Sequence, residues 1–112
     1  MSAIQRAAPL MYLNAALHVL VPILGLFSTA TLIMLPVALL YGAFGWGLSR
    51  DWRSLGYFVF VCAAFGGVVA YGFATATAAP LSWAYWGIVG VDALVAVMLF
   101  LALWRPRPAI SG

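Results

Sequence analysis

Ser49-Arg50-Asp51-Trp52-Arg53-Ser54 is the only strongly polar stretch in the interior of this sequence. On each side of it lie two apolar segments joined by a short uncharged loop. The segments are read as residues 9–27, 32–48, 55–75 and 82–104. Each falls within the roughly 17–25 residues that a helix needs to cross a hydrocarbon core about 30 Å thick. The expected fold is therefore all-α: an integral membrane four-helix bundle forming a single domain, residues 1–112.

The charged hairpin also sets the expected topology. Arg6 precedes the first segment, Arg50 and Arg53 lie in the hairpin, and Arg105 and Arg107 follow the fourth. These are all the positive charges in the chain, and the loops near residues 28–31 and 75–82 carry none. Four crossings bring the three arginine-bearing places to one side. The excess of Lys and Arg in short cytoplasmic loops then places both termini and the hairpin in the cytoplasm, with a bacterial-type inner membrane as the expected location. Asp51, beside two arginines, is expected to form local ion pairs of little energetic weight. Arg6 ahead of an apolar run also resembles a secretory signal. However, the run exceeds an h-region of about 7–15 residues and carries Asn14 and His18, so it reads as a first span.

Composition supports the membrane reading and removes several function classes. Hydrophobic residues make up 67% of the chain and charged residues 6%, against about 25% charged in soluble domains. A soluble core of this size cannot bury so much apolar surface, whereas lipid solvates it. Scattered arginines in tight loops form no basic stripe, so a nucleic-acid partner is not expected. Cys62 is the only cysteine, which excludes an intramolecular disulfide. No Gly-rich phosphate loop, nucleophile–His–acid set or pair of carboxylates stands outside the apolar segments, and no enzymatic activity is expected.

Aromatic residues fall where headgroups would lie. Trp46, Trp52, Tyr57 and Trp104 sit near the charged side, and Trp83, Tyr85 and Trp86 cluster at the opposite end of the fourth span. Such rings anchor helices at the interface. Small residues recur at helix-contact spacing: Ala63 with Gly67, Gly66 with Ala70 and Ala74, Ala38 with Gly42 and Gly45, and Gly90 with Ala93. These faces allow close approach of backbones, either within the bundle or against another subunit or copy.

Three polar residues are buried in apolar context. His18 lies near the middle of the first span, with Asn14 one turn earlier on the same face. Asp92 lies roughly 13–14 Å down the fourth span, at a comparable depth. A lone Asp at a helix centre costs about 2.5–3.5 kcal/mol on insertion scales, so a partner is expected. The simplest arrangement has the first and fourth helices adjacent, with the His18 imidazole donating to Asp92. Such a pair serves as a polar clasp, as a proton or solute site shaped by Asn14, or as a contact with another subunit. A metal site is not expected from His18, Cys62 and Asp92 alone. No cofactor is expected, although haem held through His18 stays open as a minor reading.

In length and span count the chain is similar to the small multidrug resistance transporters, which are four-helix proteins. That family's glutamate in the first helix has no counterpart, because the sequence contains no Glu. None of its site residues carries over. The expected function is a non-catalytic accessory or assembly subunit of a larger membrane complex. The alternative is a proton-coupled carrier of a small solute, acting as a homo-oligomer through His18 and Asp92. The expected partners are the lipid bilayer and other membrane subunits or further copies of the chain.

Overall fold

A computed structural model describes residues 2–104. Arg105 and Arg107 lie outside the described residues. Helix α1 (Ala3–Arg6) starts at a capping box, with the Ser2 hydroxyl accepting from Gln5 N and the Gln5 side chain accepting from Ser2 N. Two otherwise unpaired helix-end donors are thereby satisfied. Helix α2 (Ala8–Leu24) follows almost without a break, because Pro9 falls in its first turn, where a missing N–H is tolerated. The first membrane-length helix thus runs Ala3–Leu24.

Helix α2 stops at Leu24, short of Phe27, for a local reason. Leu26 and Phe27 adopt left-handed backbone conformations with φ of 57° and 55°. Phe27 N then donates back to Pro22 O at 2.7 Å, closing the terminal carbonyls in the way a Schellman ending does. Glycine usually occupies such a left-handed position, but Gly25 stands just before it. A Cβ there would lie 2.5 Å from the Thr31 side chain, so close packing is what requires this glycine.

The remaining elements are α3 (Thr29–Leu32), α4 (Met34–Ser49), α5 (Arg53–Ala76) and α6 (Leu81–Trp104). The described residues contain no strand. Four helical stretches, Ala3–Leu24, Thr29–Ser49, Arg53–Ala76 and Leu81–Trp104, are long and apolar enough to cross a membrane. Their outer faces carry large exposed apolar side chains, among them Leu39, Phe65, Val68, Leu94 and Leu101. Water would penalise so continuous an apolar exterior, and lipid would not.

The helices pack unevenly. Helix α5 lies along α6, α2 along α4, and α2 also against α6, whereas α4 and α5 meet over a much smaller stretch. Small residues explain the close seams. Gly56 and Gly67 on α5 admit Leu103 and Asp92 of α6, with 3.4 Å left to an imagined Cβ in both cases. Gly45 on α4 receives the Tyr12 ring of α2, and Gly87 on α6 receives Leu17. Backbone approach of this kind drives helix association where lipid removes the hydrophobic force.

One end of the bundle is latched by polar contacts. Ser2 Oγ donates to Asp51 Oδ1 at 2.6 Å, and Gln5 Nε2 donates to Ser49 O at 3.1 Å. Arg53 Nη2 donates to Leu103 O at 3.1 Å, placing a cation at the carbonyl end of α6. The N-terminal turn, the 50–52 turn and the end of α6 therefore meet, with Arg6, Arg50 and Arg53 at the same end. Arg50 lies over the Trp46 ring, 5.4 Å from its centroid. Among the described residues Asp51 pairs with a hydroxyl instead of with an arginine as expected. Its left-handed backbone, φ 59°, presents the carboxylate to Ser2, which becomes its partner.

The interior divides into two apolar cores. The larger surrounds Met11, Phe44, Leu48, Val59, Val95 and Leu99 toward the latched end. The smaller comprises Val21, Ala70, Ala74, Ala84, Tyr85 and Ile88 toward the other end. Between them lies a polar layer.

Candidate functional site: a polar layer beside a lateral cavity

Asn14 and Asp92 sit halfway along their helices and are both fully buried, at 0% exposure. On α6 the inward stripe is Tyr85, Ile88, Asp92, Val95 and Leu99. Steps of three and four residues keep that stripe on one face, so Asp92 is carried into the α2/α6 seam by its apolar neighbours. On α2, Met11, Asn14, His18 and Val21 form the matching stripe.

Asn14 Nδ2 donates to Asp92 Oδ1. This bond across the seam is the clasp, and it corrects the expected pairing of His18 with Asp92. The reason is geometric. His18 lies one turn beyond Asn14, and its Nδ1 donates to the Asn14 backbone carbonyl at 2.7 Å. That bond turns the ring along its own helix and toward Tyr41, with ring centroids 4.7 Å apart in an edge-on arrangement. Because a carbonyl only accepts, the Nδ1 of a neutral His18 carries the proton and Nε2 is an acceptor. The helices are adjacent as expected, but the donor to Asp92 is the amide one turn away from the imidazole.

The layer is not fully satisfied. Asn14 Oδ1 and Asp92 Oδ2 are buried without a hydrogen-bond partner. An unpaired acceptor in such surroundings costs about 1–3 kcal/mol, so each of these oxygens is a place where a donor would be welcome.

Beside the layer lies a cavity of about 240 Å³ between α4 and α5. Tyr41 and Val37 of α4, Cys62 and Gly66 of α5, Tyr85 of α6 and His18 of α2 form its inner wall. Leu40, Phe65, Val69 and Phe73, which also line it, are exposed on the bundle exterior and mark its mouth. The cavity therefore opens sideways, toward where lipid would be. Toward the latched end the same seam closes, where Phe44 meets Phe58 edge-on at 5.6 Å.

The aromatic residues separate into two groups. Trp46, Trp52, Trp83, Trp86 and Trp104 are exposed, consistent with interfacial positions. Tyr85 is not among them, and this corrects its assignment as an anchor. It is 3% exposed, stacks on Phe73 and faces the cavity. Trp83 and Trp86, three residues apart, share the outward face, and the two residues between them, Ala84 and Tyr85, turn inward.

Tyr41 and Gly66 were not legible as site residues from the sequence. The signal for Tyr41 was a phenol in mid-span, away from either interface; Gly66 reads only as a packing residue. Among the described residues, no three His, Cys, Asp or Glu side chains come together to hold a metal ion. Comparison with protein-family models, curated proteins and solved structures finds no match for this chain.

Proposed function

We propose that this chain is a non-catalytic accessory or assembly subunit of a larger membrane complex, in a bacterial-type inner membrane with both termini cytoplasmic. The observation that carries this reading is how the buried polar residues are used. Asn14 and Asp92 join two helices of the same chain, and the remaining described residues form almost no structure beyond the apolar helices. Broad apolar faces, such as Val61, Phe65 and Val68 on α5, are left for lipid or neighbouring subunits. The clustering of Arg6, Arg50 and Arg53 at one end supports the proposed orientation. Gentle affinity purification from native membranes, followed by mass spectrometry, tests the subunit reading. A fixed set of larger membrane proteins is the expected result, and a homo-oligomer alone contradicts it.

A proton-coupled carrier is favoured by one specific feature, the unpartnered Asp92 Oδ2 near the cavity. On that reading Asp92→Asn abolishes uptake while expression persists. Retained proton-driven uptake by the variant excludes it.

A further inference from the structure

The α2/α4 seam carries an outer groove that changes character with depth. One stripe of α1 and α2, in steps of three and four residues, runs Gln5, Pro9, Tyr12, Ala16 and Val19. The facing stripe of α4 runs Ser49, Gly42, Leu39 and Leu35. At the latched end the groove is a hollow of about 520 Å³ walled by Gln5, Pro9, Tyr12 and Ser49. Farther along it is a hollow of about 370 Å³ walled only by apolar side chains, among them Ala16, Val19, Leu35 and Leu39. Between the two, Gly42 keeps the floor open, with nothing within 4 Å of where its Cβ would be. Fourteen residues separate Gln5 from Val19, about 21 Å of helix. That length spans a headgroup region and one leaflet of a hydrocarbon core about 30 Å thick.

Charge is confined to the polar end of the groove. Arg6 and Arg50 directly follow Gln5 and Ser49, and both are exposed. Arg50 lies over the Trp46 ring, which holds its planar fork beside the hollow. Asp51, the one carboxylate at this end among the described residues, already accepts from Ser2. We propose that the groove is a binding site for an anionic phospholipid, with its phosphate at Arg50 and one acyl chain laid along Ala16, Gly42 and Val19. The Arg50 guanidinium matches a phosphate through paired N–H donors, and Arg6 adds positive charge at the same level. Basic residues at the end of a lipid-facing helix pair recognise acidic headgroups in this way. A zwitterionic headgroup brings an ammonium to an end whose carboxylate is engaged, and a soluble phosphate leaves the apolar length empty. The site requires only that the chain lies in a bilayer, and it stands apart from the accessory-subunit and carrier readings.

The test uses the full chain in nanodiscs and a phosphatidylglycerol carrying a diazirine in one acyl chain, with labelled residues mapped by mass spectrometry. Labelling is expected at Ala16, Val19, Leu35 or Leu39, above that at Leu101, which faces outward on α6 away from the groove. Unlabelled phosphatidylglycerol should suppress the groove labelling at about a tenfold lower concentration than phosphatidylcholine with the same chains. Arg50→Gln should cut that preference about fivefold. Gly42→Leu should abolish the excess labelling by filling the groove, and should leave Leu101 labelling unchanged. Circular dichroism and gel filtration establish that both variants fold. Because the two lipids are compared on the unaltered chain, that comparison decides the matter even if a variant misfolds. Equal competition by the two lipids overturns the proposal and leaves an ordinary lipid annulus. Equal labelling of the groove and Leu101 does the same. Suppression by glycerol phosphate as strong as by phosphatidylglycerol overturns it in favour of a site for the soluble anion. A groove that stays unlabelled overturns it in favour of a protein segment or second copy lying there.

Discussion

Helix α5 has two neighbours and treats them differently. Against α6 it packs closely, with Gly56 and Gly67 taking in Leu103 and Asp92 and an outer groove left beside Ala64, Val68 and Ala93. Against α4 it closes only toward the latched end, at Phe44 and Phe58, and then parts around a cavity lined by Tyr41, Cys62 and Gly66. Both seams are made of apolar helices, so hydrophobicity does not distinguish them. The difference lies in what each small residue meets. At Gly56 and Gly67 the space is filled by a side chain of the facing helix. At Gly66 it is taken up by two polar oxygens, the Tyr41 hydroxyl and Asp92 Oδ2, at 2.7 and 3.1 Å from an imagined Cβ. One seam holds the bundle together, and the other leaves room for something else.

The sharpest test of the packed seam is to put the same side chain into it and into an open position on the same helix. Gly67→Leu should overpack the closed seam and destabilise the bundle by about 3 kcal/mol. Gly72→Leu, where a Cβ meets nothing within 4 Å, should change stability by less than about 0.5 kcal/mol. Steric-trap unfolding in bicelles measures both, and similar values would dissolve the distinction. Next in size is the clasp. Asn14→Leu leaves both Asp92 oxygens without donors and should cost about 2 kcal/mol. Adding Asp92→Leu should recover much of this, with a coupling of about 0.6–1.7 kcal/mol in a double-mutant cycle. Additive losses would show that the bond carries no stability.

A smaller effect is expected where the α4/α5 seam closes. Phe58→Leu removes the edge-on contact with Phe44 and should cost about 1 kcal/mol. It should also extend lipid-phase labelling from the cavity toward Leu48, and unchanged labelling would mean the ring pair does not bound the cavity. The smallest change is Arg53→Gln. Losing the charged donor to Leu103 O should cost under about 1 kcal/mol, read as fraying of α6 in amide exchange near Leu103.

The sequence made the coarse architecture legible because lipid imposes it. Four long apolar runs, and charges confined to alternate connections, leave little choice of secondary structure. The inward position of Asp92 was equally legible, since its cost in lipid requires a protein partner. Its actual partner was not. Asn14 and His18 are one turn apart on one face, and choosing between them needs the height of α2 against α6 to within a few ångströms. That height follows from packing such as Leu17 against Gly87, which no periodicity encodes. The end of α2 was misplaced because its stop is made by Leu26 and Phe27, residues that rarely take left-handed geometry. Tyr85 was misread because it stands between two interfacial tryptophans. Its spacing to Ile88 and Asp92, rather than its neighbours, reports where it points.

The central claim is that α4 and α5 part sideways and expose the interior as far as Val37, Tyr41 and Cys62. Lipid-phase carbene footprinting tests it most directly, using a small bilayer-soluble diazirine on the full chain in nanodiscs and mapping modified residues by mass spectrometry. Modification should extend inward from Leu40 and Phe65 to Val37, Tyr41 and Cys62, and spare Val59, Val95 and Leu99. Modification that stops at Leu40 and Phe65, leaving Val37, Tyr41 and Cys62 as protected as Val95, would contradict it.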